Sequence, residues 1–352
     1  MSVTRHRVLV ALTSAAAIAM TACDSDGTTS APADAALTTE TSAPGGDAEP
    51  GLDATNSGPD SASSAEDPVT SICDDDGYRE PPPDDTADIG PAVSAYLPSD
   101  PKAFIREVLT ARYPLGAFLV AEGLATGGRI GDCVNAFVGD TGSAASVLAS
   151  LSTVVHECGH FVDLAATTFS TFHYRVTASL AFTCPRIGNG LARSRLNEDP
   201  YADLLPEDFY RPVYLDGDPD NATFEGGDQG YDSVLEETLQ YINSLATDWA
   251  FRDRLQRGQS ISARDGLLTF LWYLTRYLRL ARTEYPSEYD KIHDSACWRE
   301  ATLTLWGRAW QYLTLTDGEA SLGLRDDVLL DLATTPELLA EIDALRDAAG
   351  CP

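Results

Sequence analysis

The sequence predicts a mainly α (α+β) domain behind a polar, acidic leader, and three observations predict it. Beyond about residue 84, apolar residues recur mostly at helical spacing. One stretch, Phe182–Gly230, breaks this pattern and is rich in Pro, Gly, Asp and Asn. Before residue 84 the composition cannot supply a core: Asp24–Pro83 consists largely of Ser, Thr, Ala, Gly, Pro and acids, with Tyr78 its only aromatic.

Residues 1–22 read as an export signal. Arg5, His6 and Arg7 form a basic head, and Val8–Met20 is apolar or small throughout. That run is shorter than the roughly 20 residues a membrane span needs, and it suits a signal peptide. Residues 23–83 then read as a disordered acidic tether. From Asp24 to Asp100 there are 18 acids and one base, Arg79, within a chain of net charge −30. No Lys/Arg cluster is present, which argues against nucleic acid as a partner.

Six cysteines follow Cys23: Cys73, Cys133, Cys158, Cys184, Cys297 and Cys351. An even number in an exported chain suggests disulfides, and six cysteines allow about 15 pairings. The simplest expectation is sequential pairing, 73–133, 158–184 and 297–351.

Residues 84–352 form the expected folded domain. Pro101–Arg112 places Phe104, Ile105, Val108 and Leu109 at helical spacing. Ser143–Ala166 is a long run of small and apolar residues without proline, expected as one helix. Tyr231–Leu255, Ser262–Tyr285, Ser295–Thr314 and Pro336–Ala348 also read as helices, the last with Thr335 as N-cap and Pro336 in the first turn. Phe182–Gly230 reads as a loop-rich insert with a small sheet or hairpin, Tyr210–Leu215 being β-like.

The chemistry concentrates at His156-Glu157-Cys158-Gly159-His160. Residues four apart share a helix face, so His156 and His160 can present two imidazoles to one cation. Glu157, about 100° round the helix, can flank the metal without binding it. Cys158 can join a disulfide or, less in keeping with its direction, ligate metal. Gly159 allows another helix or a substrate to come close. Asp163 lies on the ligand face, where it can orient a histidine or remain a surface charge.

This passage resembles the H-E-x-x-H motif of zincin-type zinc metallopeptidases, uncharged on both flanks. The metzincin extension is missing, since its glycine and third-histidine positions are Asp163 and Ala166. The chain instead resembles gluzincins, in which a downstream helix supplies a glutamate. Ser233–Tyr241 is the segment similar to that helix, with Glu237 preferred as third ligand over Glu236. The resemblance implies a zincin-like metallopeptidase domain with an active-site helix, holding Zn²⁺ on His156, His160 and Glu237, with Glu157 as general base. Such sites need a donor for the developing oxyanion; the polar candidates are His173, Tyr174, Tyr231, Tyr241 and His293, of which His173, just after the motif helix, and Tyr241 are taken as site residues. A di-iron bundle would need a second E-x-x-H motif, which the sequence lacks.

Met20-Thr21-Ala22-Cys23 resembles a lipobox, which implies acylation of Cys23 and a lipid anchor on the periplasmic face or cell surface. The expected function is zinc-dependent hydrolysis of peptide bonds in peptide or protein substrates by a membrane-anchored, exported lipoprotein. A non-catalytic zincin-like surface lipoprotein, acting in binding or adhesion, is the alternative.

Overall fold

Prolines and short polar side chains set where most helices begin. The computed structural model describes residues 67–126, 131–218, 220, 225–255 and 262–352. The expected signal segment, Cys23 and the expected tether up to residue 66 lie outside the described residues. A small hairpin pairs β1 (Val69–Thr70) with β2 (Tyr78–Arg79). Next come α1 (Gly90–Ser94), α2 (Pro101–Arg112), α3 (Pro114–Ala125), α4 (Cys133–Phe137), α5 (Ala144–Ala149) and α6 (Leu151–Ala166). A second antiparallel hairpin, β3 (Thr171–Arg175) and β4 (Ala181–Pro185), pairs His173 with Thr183. The rest comprises α7 (Arg211–Tyr214), α8 (Tyr231–Ala250), α9 (Ala263–Glu284), α10 (Pro286–His293), α11 (Ala296–Leu315), α12 (Asp326–Ala333) and α13 (Pro336–Ala349).

Asp100, Ser262 and Ser295 each accept a backbone N–H of the following turn, from Ala103, Asp265 and Trp298. These caps satisfy donors that a helix start leaves open. Thr335 stands before Pro336 as expected, but its hydroxyl donates backward to the Leu332 carbonyl at 2.8 Å. α8 is the hub: α6 and α9 pack along it, and α11 covers another side. α9 is buried from Ala263 to Leu278 because α8, α10, α12 and α13 all press on it. The architecture is therefore mainly helical, with two small hairpins among the described residues.

Several expectations change. Ser143–Ala166 is two helices, broken at Ser150. The Ser150 hydroxyl donates to the Val147 carbonyl at 3.0 Å, closing α5, while its own carbonyl receives the Val154 N–H and starts α6. Tyr210–Leu215 is a single helical turn, not a strand. Asp208 accepts from the backbone of Tyr210 and Arg211, and Pro212 fits the first turn. The hairpin sits on β3 and β4, straddling the start of the insert.

The tether does not extend to residue 83. From residue 67 the chain is built into the body. Tyr78 is 2% exposed, and Glu80 receives Arg308 Nε at 2.9 Å and the Tyr312 hydroxyl at 2.7 Å. A polar composition is held here by a covalent link and a buried ion pair, so it needs little apolar surface of its own. The disulfides are Cys73–Cys351, Cys133–Cys158 and Cys184–Cys297, and not the sequential set. Packing decides the pairing. The segment around Cys73 meets the C-terminal end, α4 packs on α6, and β4 packs on α11.

Candidate metal centre

The site forms where α6 meets α8. His156 and His160 lie one turn apart, with ring centroids separated by 4.7 Å. Glu237 of α8 completes the group: its Oε2 lies 3.6 Å from Nε2 of each histidine. The three ligand atoms all fall within 4.8 Å of one another. Zinc bonded at about 2.0–2.2 Å in tetrahedral geometry separates its ligand atoms by about 3.3–3.6 Å, which the two histidine–glutamate separations match. Glu237 Oε2 is also buried without a hydrogen-bond partner. A buried oxygen of this kind needs a positive partner.

Gly159 makes the close approach possible. A Cβ there would fall 1.9 Å from Oε1 of Gln240 on α8. Glycine thus lets the second helix seat its carboxylate against the first. The neighbouring Cys158 is bonded to Cys133, which ties α4 to the motif helix and removes Cys158 from the candidate ligands.

The far nitrogens of both rings are also held. His156 Nδ1 pairs with Ser244 Oγ at 3.0 Å, and His160 Nδ1 lies 2.6 and 2.7 Å from the two oxygens of Glu236. With Nδ1 bonded on the far side, each Nε2 is left for the cation. The adjacent glutamates therefore divide the work: Glu237 faces the centre, whereas Glu236 grips the back of His160 and is no ligand. Asp163 makes no hydrogen bond to a histidine among the described residues. Its oxygens accept from Arg175 N at 2.6 Å and Gln240 Nε2 at 2.9 Å, and Gln240 also donates to Glu236 at 3.3 Å. Asp163 thus reaches His160 through two intermediaries.

The electrostatics favour a cation. Burial opposes charge on His160, but the carboxylates of Glu236 and Glu237 outweigh it and push the ring up to about 10. Burial also opposes charge on Glu237. There the neighbouring His160, His156 and Arg193 prevail and hold the carboxyl below its usual range. Glu157 is 7% exposed, and burial raises its carboxyl while His160 and His156 pull it down.

Tyr241 borders the site. Its ring stands edge-on to His156 at 4.9 Å, and its hydroxyl pairs with that of Tyr214 at 3.1 Å. His173 is not brought into this group. Its Nδ1 pairs with Thr183 across the hairpin at 3.0 Å, on the strand face opposite buried Tyr174. Three residues escape a sequence reading. Ser244 shares the α8 stripe of Glu237 and Tyr241, at i+7 from the ligand, and could have been found by periodicity. Tyr214 and Arg193 come from the loop-rich insert, where no periodic pattern marks them. Arg193 is 3% exposed and sits over the Tyr214 ring, 5.2 Å from its centroid.

No family model, curated protein or solved structure matches this chain. The likeness to zincins consequently rests on the residues of this centre and on no relative.

Proposed function

We propose that the protein is an exported, lipid-anchored zinc hydrolase that cleaves peptide bonds, with a gluzincin-like centre on a zincin-like body. One observation carries the reading: two Nε2 atoms and one unpartnered, buried carboxylate oxygen converge at zinc-ligand spacing. Bound there, zinc would lower the pKa of water and polarise a carbonyl. His156, His160 and Glu237 would hold it, with Ser244 and Glu236 fixing the rings.

Glu157 follows His156 directly, and among the described residues no hydrogen bond or ion pair ties up its carboxylate. It takes the proton of the attacking water. The water oxygen bonds to the peptide carbonyl carbon, the C–N bond breaks, and the proton passes to the leaving amine. The Tyr214–Tyr241 hydroxyl pair stands beside the centre as the donor for the developing oxyanion, in place of His173.

Export is supported by the pairing of all six described cysteines. The anchor rests on the sequence around Cys23. The test is metal analysis with Glu157→Gln. About one zinc per chain is expected in both proteins, with peptide hydrolysis lost in the variant. A fully active variant removes Glu157 from the mechanism, and absence of zinc removes the centre.

A further inference from the structure

Arg193 is the buried charge that the mechanism leaves idle. It begins the 3-10 turn Arg193–Asn197, where its backbone N–H donates to the Gln229 carbonyl at 2.8 Å. Its side chain is enclosed, yet Nε and Nη1 have no hydrogen-bond partner. No carboxylate of the described residues comes within ion-pair distance of it. This contrasts with the other fully enclosed arginines. Arg276 is clasped by Asp199 at 2.8 Å, and Arg308 by Glu80 at 2.9 Å. A buried guanidinium without an acceptor is costly, so it calls for a partner that completes it.

The position indicates which ligand. Arg193 lies over the Tyr214 ring, Tyr214 pairs with Tyr241, and Tyr241 abuts His156. Two tyrosine rings, Tyr214 and Tyr241, thus link the guanidinium to His156 of the centre, on the side of the insert. Burial opposes its charge, and the carboxylate that offsets this most is Glu237, itself a member of the candidate metal group.

We propose that Arg193 receives the terminal carboxylate of the substrate, so that the enzyme trims peptides from their free C-terminal end. This rests on the peptidase reading and adds a substrate class to it. The chemistry is the same hydrolysis: the bond attacked lies close to the chain end, and a short carboxyl-terminal fragment leaves with the new amine.

The experiment separates binding from turnover. Pooled N-acetylated tripeptides are prepared as free acids and as C-terminal amides. Each pool is titrated calorimetrically into the Glu157→Gln protein, with and without Arg193→Met. Loss of a charge-assisted hydrogen bond corresponds to about 10- to 100-fold in affinity. The acids should therefore bind tighter than the amides by that factor, and Arg193→Met should erase the gap. Arg193→Lys, which keeps a cation, should preserve part of it; matched unfolding midpoints establish that the variants are folded. Mass spectrometry of wild-type digests should show release from the free C-terminus. Equal binding of acids and amides, or a gap that survives Arg193→Met, overturns the proposal. A gap without cleavage supports the carboxylate site and removes the peptidase reading instead.

Discussion

Replacing Gly159 by alanine probes the contact on which the centre depends. The new methyl would fall 1.9 Å from Gln240 Oε1 and 2.7 Å from its Cδ, well inside any tolerable contact. Gln240 cannot simply swing away. It is 1% exposed, donates to Asp163 at 2.9 Å and Glu236 at 3.3 Å, and accepts from Asn243 at 3.0 Å. Alanine gains roughly 1 kcal/mol of helix propensity. Against this stand overpacking at about 1–3 kcal/mol and stranded buried polar groups at about 1–3 kcal/mol. The net expectation is a loss of about 1–5 kcal/mol of stability. Zinc affinity should fall at least about tenfold, because α8 carries Glu236 and Glu237 away with Gln240. Urea unfolding of the zinc-loaded protein and competition with a chromophoric chelator measure both. Adding Gln240→Ala should cost less in the Gly159→Ala background than in the wild type, since it removes the colliding amide. If Gly159→Ala leaves stability and affinity unchanged, the helices do not meet as described.

Two further outcomes follow from the same geometry. Glu236→Gln weakens the grip on His160 Nδ1 and should lower zinc affinity about 10- to 100-fold, by chelator competition; unchanged affinity would make Glu236 a bystander. Burial lifts the Asp248 carboxyl to about 7, so the folded state holds its proton where the unfolded chain has lost it. Stability should therefore fall as pH rises from about 4 past 7, and Asp248→Asn should recover up to about 4 kcal/mol at pH 8 and little at pH 4. Urea midpoints at both pH values test this, and a pH-independent difference would discount the shift.

Much of the site was legible because it is helical. The i, i+4 spacing of His156 and His160 states their common face, and Ser233–Tyr241 was marked by its resemblance to gluzincin ligand helices. The division between Glu236 and Glu237 is not written in the sequence. Adjacent residues on a helix differ by about 100°, and only the crossing of α6 over α8 determines which carboxylate meets Nε2 and which meets Nδ1. Helix boundaries near Pro101, Ser262, Ser295 and Pro336 follow local chemistry and were predictable. The break at Ser150 was not, since it depends on one hydroxyl turning back to Val147. The disulfides depend on which elements pack together, which spacing along the chain does not encode. Residues 67–83 illustrate the same limit: their composition is that of a linker, and long-range partners on α11 order them.

The pairing of two acids on α8 also explains why this centre lies so deep. A single carboxylate beside two imidazoles would have to compensate burial alone. Here Glu237 has one oxygen left unpaired for the proposed cation, and Glu236 stabilises His160 from behind through Nδ1. Glu236 is in turn held by Gln240, which Asp163 holds, and the Asp163 carboxyl is lifted by burial and by the Glu236 charge. The chain of contacts therefore runs from the back of the metal site to the β3 backbone at Arg175. Each link needs α6 and α8 at the separation that Gly159 permits. The proposed metal ligands, their supports and the helix crossing are thus one construction, so perturbing a residue outside the ligand set should still change metal affinity.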